Sequence, residues 1–83
     1  MSYEKVAQVN TEKIIGTKQV LKAIKNGHAK EVIIASDADL HLTSRVSQTA
    51  TEHSVPISYV DSMKELGKAC GIDVGAATVV IKQ

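Results

Sequence analysis

Hydrophobic residues along the chain occur in short continuous runs, which alternate with segments whose apolar residues recur at the spacing of an α-helix. Four short segments, Lys13–Ile15, Glu31–Ser36, Val55–Val60 and Ala77–Ile81, have the composition and length of β-strands. Glu31–Ser36 contains a continuous apolar run, which predicts a central strand buried on both faces. Pro56 fits best as the first residue of its strand, because proline donates no ladder hydrogen bond.

Four helices are predicted around these strands. Their approximate ranges are residues 2–9, 17–26, 40–53 and 62–69, the first capped by Ser2. Thr17 is predicted to be the N-cap of the second helix, since its hydroxyl can accept a hydrogen bond from an amide two or three residues later. Gly27 then follows as a helix stop.

Capping signals also precede the last two helices. Either Asp37 or Asp39 could cap the helix at 40–53, whose predicted core stripe consists of Leu42, Val46 and Ala50. Ser62 and Glu65 have the spacing of a capping box. With 83 residues, the chain is expected to be one domain over residues 1–83. The alternating pattern predicts an α/β fold, a three-layer α-β-α sandwich with a small four-stranded mixed sheet.

Composition narrows the possible functions. Hydrophobic residues make up 43% and charged residues 23%, as in ordinary globular domains, whereas aromatic residues make up only 2%. Successive aromatic platforms for stacking single-stranded bases are therefore not expected. The lone Cys70 forms no internal disulfide, and the sequence has neither a membrane-length apolar run nor a signal peptide. These features predict a cytoplasmic protein without a membrane partner.

Charge is separated along the chain although its net value is only +1. Residues 10–30 carry five lysines and one glutamate, while residues 31–63 carry five acidic residues and one arginine. In the second predicted helix, Lys18, Lys22 and Lys25 share the side opposite Val20 and Ile24. This stripe is either a solvated face or a surface for a polyanion.

The second predicted helix begins directly after a strand. Gly16, Thr17, Lys18 and Gln19 occupy this junction, where free amides and the helix dipole favour an anion. Gly16 would let a ligand approach the backbone closely. The segment has no Walker pattern, so nothing here indicates nucleotide hydrolysis.

Two motifs about 50 residues apart carry a family resemblance. Residues 66–77, with the sequence LGKACGIDVGAA, resemble the signature loop of the kink-turn-binding ribosomal proteins of the L-seven-Ae family, which includes L-thirty-e relatives. Residues 16–22, GTKQVLK, resemble the first RNA-contacting motif of that family. The similarity spans essentially the whole chain and is strongest to the bacterial L-seven-Ae-like branch. Archaeal and eukaryotic members typically have Asn-Glu where this chain has Lys18-Gln19.

The resemblance implies an RNA-binding protein that recognises and stabilises kink-turns, in which a bulge is followed by tandem sheared G·A pairs. It implies that Lys22 donates to guanine O6 and N7, and that Lys18 and Gln19 contact neighbouring G·A edges or phosphate. The implied RNA-binding residues are Gly16, Thr17, Lys18, Gln19, Lys22, Gly71, Ile72, Asp73 and Val74. Weaker phosphate contacts are expected from Lys13, Lys25 and Lys68.

The loop at residues 71–74 is expected to cover bases that leave the bulge. Its apolar side chains, Ile72 and Val74, could instead pack in the core, with Gly71 ending the helix. The expected partner is a structured RNA containing a kink-turn (ribosomal RNA, a riboswitch or another non-coding RNA), bound by a monomer that does not bind DNA. The alternative is a structural ribosomal or protein-interaction module of the same fold without kink-turn specificity.

Other chemistry has little support in the sequence. Cys70 has no neighbouring base, and the three histidines lack metal-ligand spacing. Asp37 and Asp39 could form a carboxylate pair, but capping of the next helix explains both more simply. Tyr3 and Tyr59 are expected to be partly buried. We therefore expect no enzyme activity, no cofactor and no metal site.

Overall fold

The computed structural model describes residues 13–82. In chain order the elements are β1 (Lys13–Ile15), α1 (Thr17–Lys25), β2 (Ala29–Ala35), α2 (Leu40–Glu52), β3 (Ile57–Val60), α3 (Met63–Ala69) and β4 (Thr78–Lys82). The helix predicted at residues 2–9, and Tyr3 with it, lie outside the described residues. No helix among residues 13–82 has the length and apolar character needed to cross a membrane.

The four strands form one mixed sheet in the order β1-β4-β2-β3. β4 is antiparallel to both β1 and β2, and β2 is parallel to β3. Therefore β1, β2 and β3 run in the same direction and end at the same edge of the sheet. Each of these strands is followed by a helix, so α1, α2 and α3 all begin near this edge, which β4 enters from the opposite direction.

Alternate residues of the two central strands face two separate cores. Val32, Ile34 and Val80 pack with α1 and α2, whereas Ile33 and Val79 pack with Leu66 of α3. Full burial of each such aliphatic side chain contributes about 1.5–3 kcal/mol. Helices therefore cover both faces of a four-stranded mixed sheet, and the predicted α-β-α sandwich is confirmed. The prediction that β2 is a buried central strand is also confirmed.

The structure corrects one predicted helix cap and decides between two candidates for another. The N-cap of α1 is Gly16, and Thr17 is already the first helical residue, so the predicted Thr17 cap is wrong. Asp39 caps α2 by accepting a hydrogen bond of 2.8 Å from the His41 amide. Asp37 instead accepts a hydrogen bond of 2.8 Å from the Met63 amide. It therefore joins the end of β2 to the start of α3 rather than capping α2.

Two side chains that the sequence predicted to be at least partly buried are exposed in the structure. Leu42 is 43% exposed, and Thr43 of α2 is buried together with the predicted Val46 and Ala50. Tyr59 is 56% exposed on β3, which is an edge strand of the sheet formed by residues 13–82. The predicted burial of these two side chains is therefore wrong. Pro56 directly precedes β3, and its carbonyl accepts a hydrogen bond from the Val32 amide.

Candidate nucleic-acid interface

Helix α1 presents a basic surface because its apolar residues are all used in packing. Val20, Ala23 and Ile24 are buried against the sheet and α2. The remaining positions include Lys18, Gln19, Lys22 and Lys25, all of which are exposed. The helical period therefore separates the core contact from the cationic face, as the sequence predicted.

Within the part of the chain that the structure describes, no side chain caps the N-terminus of α1. Gly16 has a φ of 103° and provides no side chain to accept hydrogen bonds from the first-turn amides. By contrast, Asp39 caps α2 and Ser62 caps α3, where the Ser62 hydroxyl accepts a hydrogen bond of 3.2 Å from the Glu65 amide. The first turn of α1 therefore presents its amides and the positive end of the helix dipole toward an external acceptor.

The second motif is a loop fixed at the end of α3. Gly71 has a φ of 79°, and its amide donates to the Lys68 carbonyl while the Ile72 amide donates to the Gly67 carbonyl. This is a Schellman motif, in which glycine at the left-handed position ends the helix. The loop then returns past the start of α3, where the Ala76 amide donates to the Met63 carbonyl at 3.0 Å.

The two apolar residues of this loop have different surroundings. Ile72 is half-buried and packs against the core on the α3 side, whereas Val74 is 69% exposed. Asp73 is exposed beside it. A shallow groove runs along this part of the molecule, lined by Lys64, Lys68, Ile72, Asp73, Val74 and Gly75. Val74 is thus the apolar side chain that this loop offers to a ligand.

Sheet pairing brings the two motifs to the same edge. Ile15 lies opposite Val79, and the Gly16 amide donates to the Thr78 carbonyl at 3.5 Å, a long hydrogen bond. The open end of α1 therefore lies where the loop at residues 71–77 enters β4. Lys18 and Gln19 belong to this edge, whereas Lys25 lies at the far end of α1.

Lys13 lies close enough to Cys70 to influence its ionisation. Burial raises the pKa of the Cys70 thiol above its ordinary value of 9.0, and the positive charge of Lys13 partly opposes this effect. A thiol with a raised pKa is a poor nucleophile near neutral pH. Cys70 also packs against the core on the α3 side. The geometry therefore gives Cys70 a packing role.

Two further grooves lie on either side of α1. The α2-side groove, between α1 and α2, is lined by Lys18, Leu21, Lys22, Lys25, Asn26 and Arg45. The sheet-side groove, between α1 and strands β1 and β4, is lined by Lys13, Ile14, Gln19, Lys22, Ala23, Asn26, His28 and Lys82. Arg45, His28 and Lys82 were not predicted as site residues, because none of them belongs to either motif. Arg45 comes from α2 and Lys82 from β4, and tertiary packing brings both beside α1.

Comparison with known proteins agrees with the fold and identifies the family of the chain. Residues 1–83 match the profile of the family described as Ribosomal protein L7Ae/L30e/S12e/Gadd45. The RNA-binding protein BH0128 of Halalkalibacterium halodurans is 57% identical over 83 residues, covering 100% of both chains. The RNA-binding protein YbxF of Geobacillus stearothermophilus is 57% identical over 81 residues, covering 98% of both chains.

A solved structure shares the architecture at lower identity. The Giardia lamblia 15.5kD RNA binding protein superposes with a TM-score of 0.86 at 27% identity, covering 98% of this chain and 68% of that chain. The agreement in fold therefore extends well beyond the bacterial relatives. Together with the match over residues 1–83, these similarities establish that the chain belongs to the Ribosomal protein L7Ae/L30e/S12e/Gadd45 family.

Proposed function

We propose that this protein binds structured RNA and stabilises kink-turns, in which a bulge is followed by tandem sheared G·A pairs. The observation that carries the proposal is the meeting of two motifs at one edge of the sheet, where the Gly16 amide hydrogen-bonds the Thr78 carbonyl. One motif supplies positive charge and open amides, and the other supplies exposed apolar surface. A bent RNA offers both phosphate and unstacked bases, which match these two chemistries.

In this proposal α1 enters the RNA groove at the kink. Side chains do not reach base edges in the narrow major groove of regular A-form RNA, but a sharp bend opens the groove. Lys22 then donates to O6 and N7 of a guanine, while Lys18 and Gln19 hydrogen-bond the adjacent G·A edges or phosphate. These three side chains are exposed on the side of α1 that faces away from the core. Lys13, Lys25 and Lys68 add phosphate contacts without sequence information.

The loop at residues 71–74 acts on the other side of the bend. Val74, which is 69% exposed, covers a base that leaves the bulge. Ile72 holds the loop against the core because it packs beside α3. Asp73 is exposed and accepts hydrogen bonds from base or ribose groups. Gly71 sets the direction in which the chain leaves the helix, through its left-handed backbone.

Binding then acts through a conformational equilibrium of the RNA. A kink-turn RNA samples extended and bent states, and a ligand shifts such an equilibrium only by its difference in affinity for the two states. A protein that contacts both sides of the bend binds the bent state more tightly. The protein therefore works as a monomeric architectural partner of ribosomal RNA, a riboswitch or another non-coding RNA.

The direct test is an energy-transfer titration. A short duplex with a kink-turn, labelled at both ends, is titrated with the protein at moderate salt without magnesium. The proposal predicts tight binding with end-to-end closure, lost when both G·A pairs are converted to Watson–Crick pairs. Equal binding to both RNAs would reduce the function to non-specific electrostatics, and absence of binding to either RNA would reject kink-turn recognition in favour of a protein-interaction module.

One observation favours the alternative of a protein-interaction module. Leu40 is 75% exposed and Tyr59 is 56% exposed, and both line a groove between α2 and the edge strand β3. This surface is formed by elements other than α1 and the loop at residues 71–77. Under this alternative, alanine at Lys18, Gln19 and Lys22 would leave the function of the protein unchanged.

A further inference from the structure

Helix α1 lies between two grooves whose charged lining residues are all basic. The α2-side groove contains Lys18, Lys22, Lys25 and Arg45, and the sheet-side groove contains Lys13, Lys22 and Lys82. Among residues 13–82, no carboxylate side chain lines either groove. A groove whose charged lining residues are basic throughout attracts a polyanion.

The arrangement has the geometry of a helix inserted between two nucleic-acid strands. An α-helix with its side chains is about 10–12 Å wide and fills an opened groove. One phosphodiester backbone must then pass along each side of the helix. Lys22 and Asn26 border both grooves of this protein, so they mark the ridge that points into the nucleic acid.

We propose that the two grooves are separate phosphodiester sites, one for each strand of the RNA that receives α1. Arg45 is the distinctive residue of the α2-side groove, and Lys82 with His28 distinguishes the sheet-side groove. This inference rests on the proposed function. It adds residues outside both sequence motifs, and it assigns them to opposite strands.

The residue types suit these roles. Arg45 is the only arginine of the chain, and its planar guanidinium can bind a phosphate through two parallel hydrogen bonds. It belongs to α2, so it contacts a strand that α1 alone does not reach. Lys82 is exposed at the end of β4, and His28 is exposed directly after the Gly27 stop of α1. These two lie on the opposite flank of the helix.

The first part of the test measures the salt dependence of binding. Arg45→Gln and Lys82→Gln are compared with the unsubstituted protein on the kink-turn duplex. Binding weakens as salt rises, so the slope of log K against log salt is negative. Each lost phosphate contact reduces the magnitude of this slope by about 0.7–0.9. The substitutions should act additively, and closure and the preference for intact G·A pairs should remain. His28→Gln provides a second variant in the sheet-side groove, and melting curves check that each variant is folded.

Lys30→Gln is the matched control, since it removes one exposed positive charge outside both grooves. Its slope should equal that of the unsubstituted protein. Arg45→Lys retains the charge without the planar fork. This variant should keep the salt slope of the unsubstituted protein but bind the kink-turn RNA less tightly. An unchanged slope in Arg45→Gln, or an equal loss in Lys30→Gln, would overturn the proposed groove sites.

The second part of the test assigns the strands. Neutral methylphosphonates are introduced one at a time along each strand of the kink-turn. At a phosphate that Arg45 contacts, the methylphosphonate should weaken binding of the unsubstituted protein but not of Arg45→Gln, and all such phosphates should lie on one strand. The phosphates identified in the same way with Lys82→Gln should lie on the other strand. If both variants identified phosphates on the same strand, the inference would be overturned while kink-turn recognition remained intact. Loss of G·A discrimination by the unsubstituted protein would instead reject the proposed function itself.

Discussion

Gly67 of α3 lies so close to Val74 that a Cβ atom built on this glycine would be 2.0 Å from the Val74 carbonyl oxygen. The same atom would lie 3.0 Å from the Val74 carbonyl carbon. Both contacts are with backbone, which cannot swing aside as a flexible side chain can. The position of the loop at residues 71–77 over α3 therefore depends on the absence of a side chain at residue 67.

Gly67→Ala should consequently destabilise the protein and displace this loop. Overpacking of this kind costs about 1–3 kcal/mol in the free energy of unfolding, and a contact with rigid backbone favours the upper end. Urea denaturation measures the change. Lys64→Ala is the matched control, because Lys64 is exposed on the same helix and alanine is a good helix former. Equal stability of both variants would mean that the loop adjusts freely.

The end of α2 contains a conformation that glycine would adopt more readily. Ser54 has a φ of 57°, and the Val55 amide donates to the Ala50 carbonyl at 2.8 Å, completing a Schellman motif. A non-glycine residue is strained in this left-handed region. Ser54→Gly should therefore raise the free energy of unfolding by up to about 1 kcal/mol. For a domain of this size, that gain corresponds to a rise of about 4–8 °C in Tm.

Gly27 provides the reciprocal variant. It has a φ of 75° at the corresponding position after α1, and no atom lies within 4 Å of the Cβ that a side chain would add. Gly27→Ser should therefore be destabilising through backbone strain alone, by a similar amount. Thermal melting of both variants checks the pair. A gain from Gly27→Ser, or a loss from Ser54→Gly, would contradict this account.

Strands and helices were largely predictable because each depends on a short-range pattern. The run Val32–Ala35 is apolar throughout, and the structure buries all of it in the middle of the sheet. Ser62 was identified as a cap from its spacing to Glu65, and its hydroxyl does accept from the Glu65 amide. Such signals are readable because the interacting groups are only three or four residues apart.

The errors arose where tertiary geometry decides the outcome. Thr17 has a good capping side chain, but the turn after β1 needs the positive φ of Gly16, so Gly16 takes the cap position and Thr17 is already helical. The sequence left Asp37 and Asp39 as alternative caps of α2, because only the fold shows that Asp37 accepts from the Met63 amide, 26 residues along the chain. Arg45 and Lys82 reach α1 only through packing. The contacts of Asp37, Arg45 and Lys82 have no local sequence signal, because each joins residues far apart in the chain.

Lys22 is the side chain whose loss should weaken RNA binding most. It is exposed on the ridge between the two basic grooves, and the proposal has it donate to a guanine. A base contact of this kind is worth about 1–3 kcal/mol, so Lys22→Ala should weaken kink-turn binding about 5- to 150-fold. The ratio of affinities for the kink-turn RNA and its Watson–Crick control should also be smaller for Lys22→Ala than for the unsubstituted protein. Titrations of the kink-turn RNA and its Watson–Crick control measure both effects.

Lys64→Ala serves again as the comparison for Lys22→Ala. Lys64 is also exposed but lies on α3, beside the loop groove and away from α1. Its loss removes the same charge without removing the proposed base contact. Affinity for both RNAs should then fall slightly and equally. If Lys22→Ala weakened binding to the two RNAs by the same factor, Lys22 would be a phosphate contact only.

The Lys18-Gln19 pair should change how binding responds to salt. Related proteins with Asn-Glu at these positions have one positive charge fewer and one negative charge more. The double substitution Lys18→Asn and Gln19→Glu should reduce the magnitude of the salt slope by about the amount that one phosphate contact contributes. The carboxylate that replaces the Gln19 amide accepts guanine amino and imino hydrogens more strongly than the amide does. Discrimination for G·A pairs should rise as salt dependence falls, and binding isotherms over a range of salt concentrations test both changes together.

Cys70 gives the pH dependence a definite sign. Its thiol pKa is raised above the ordinary value of 9.0 by burial, with the Lys13 charge acting in the opposite direction. Folding therefore favours the protonated thiol. Below the ordinary pKa both states carry the proton, and the stabilising contribution is fully present. As the pH rises above 9.0, the unfolded chain loses this proton first, so the free energy of unfolding falls.

Cys70→Ala removes this titration and provides the comparison. The difference in unfolding free energy between the natural sequence and Cys70→Ala should be constant at lower pH and should shift against the natural sequence above 9.0. All other side chains are common to both proteins, so the difference reports Cys70 together with its interaction with Lys13. Urea denaturation across the alkaline range measures it. A difference that does not change with pH would mean that the folded protein leaves the Cys70 thiol as acidic as in the unfolded chain, and that burial does not control its ionisation.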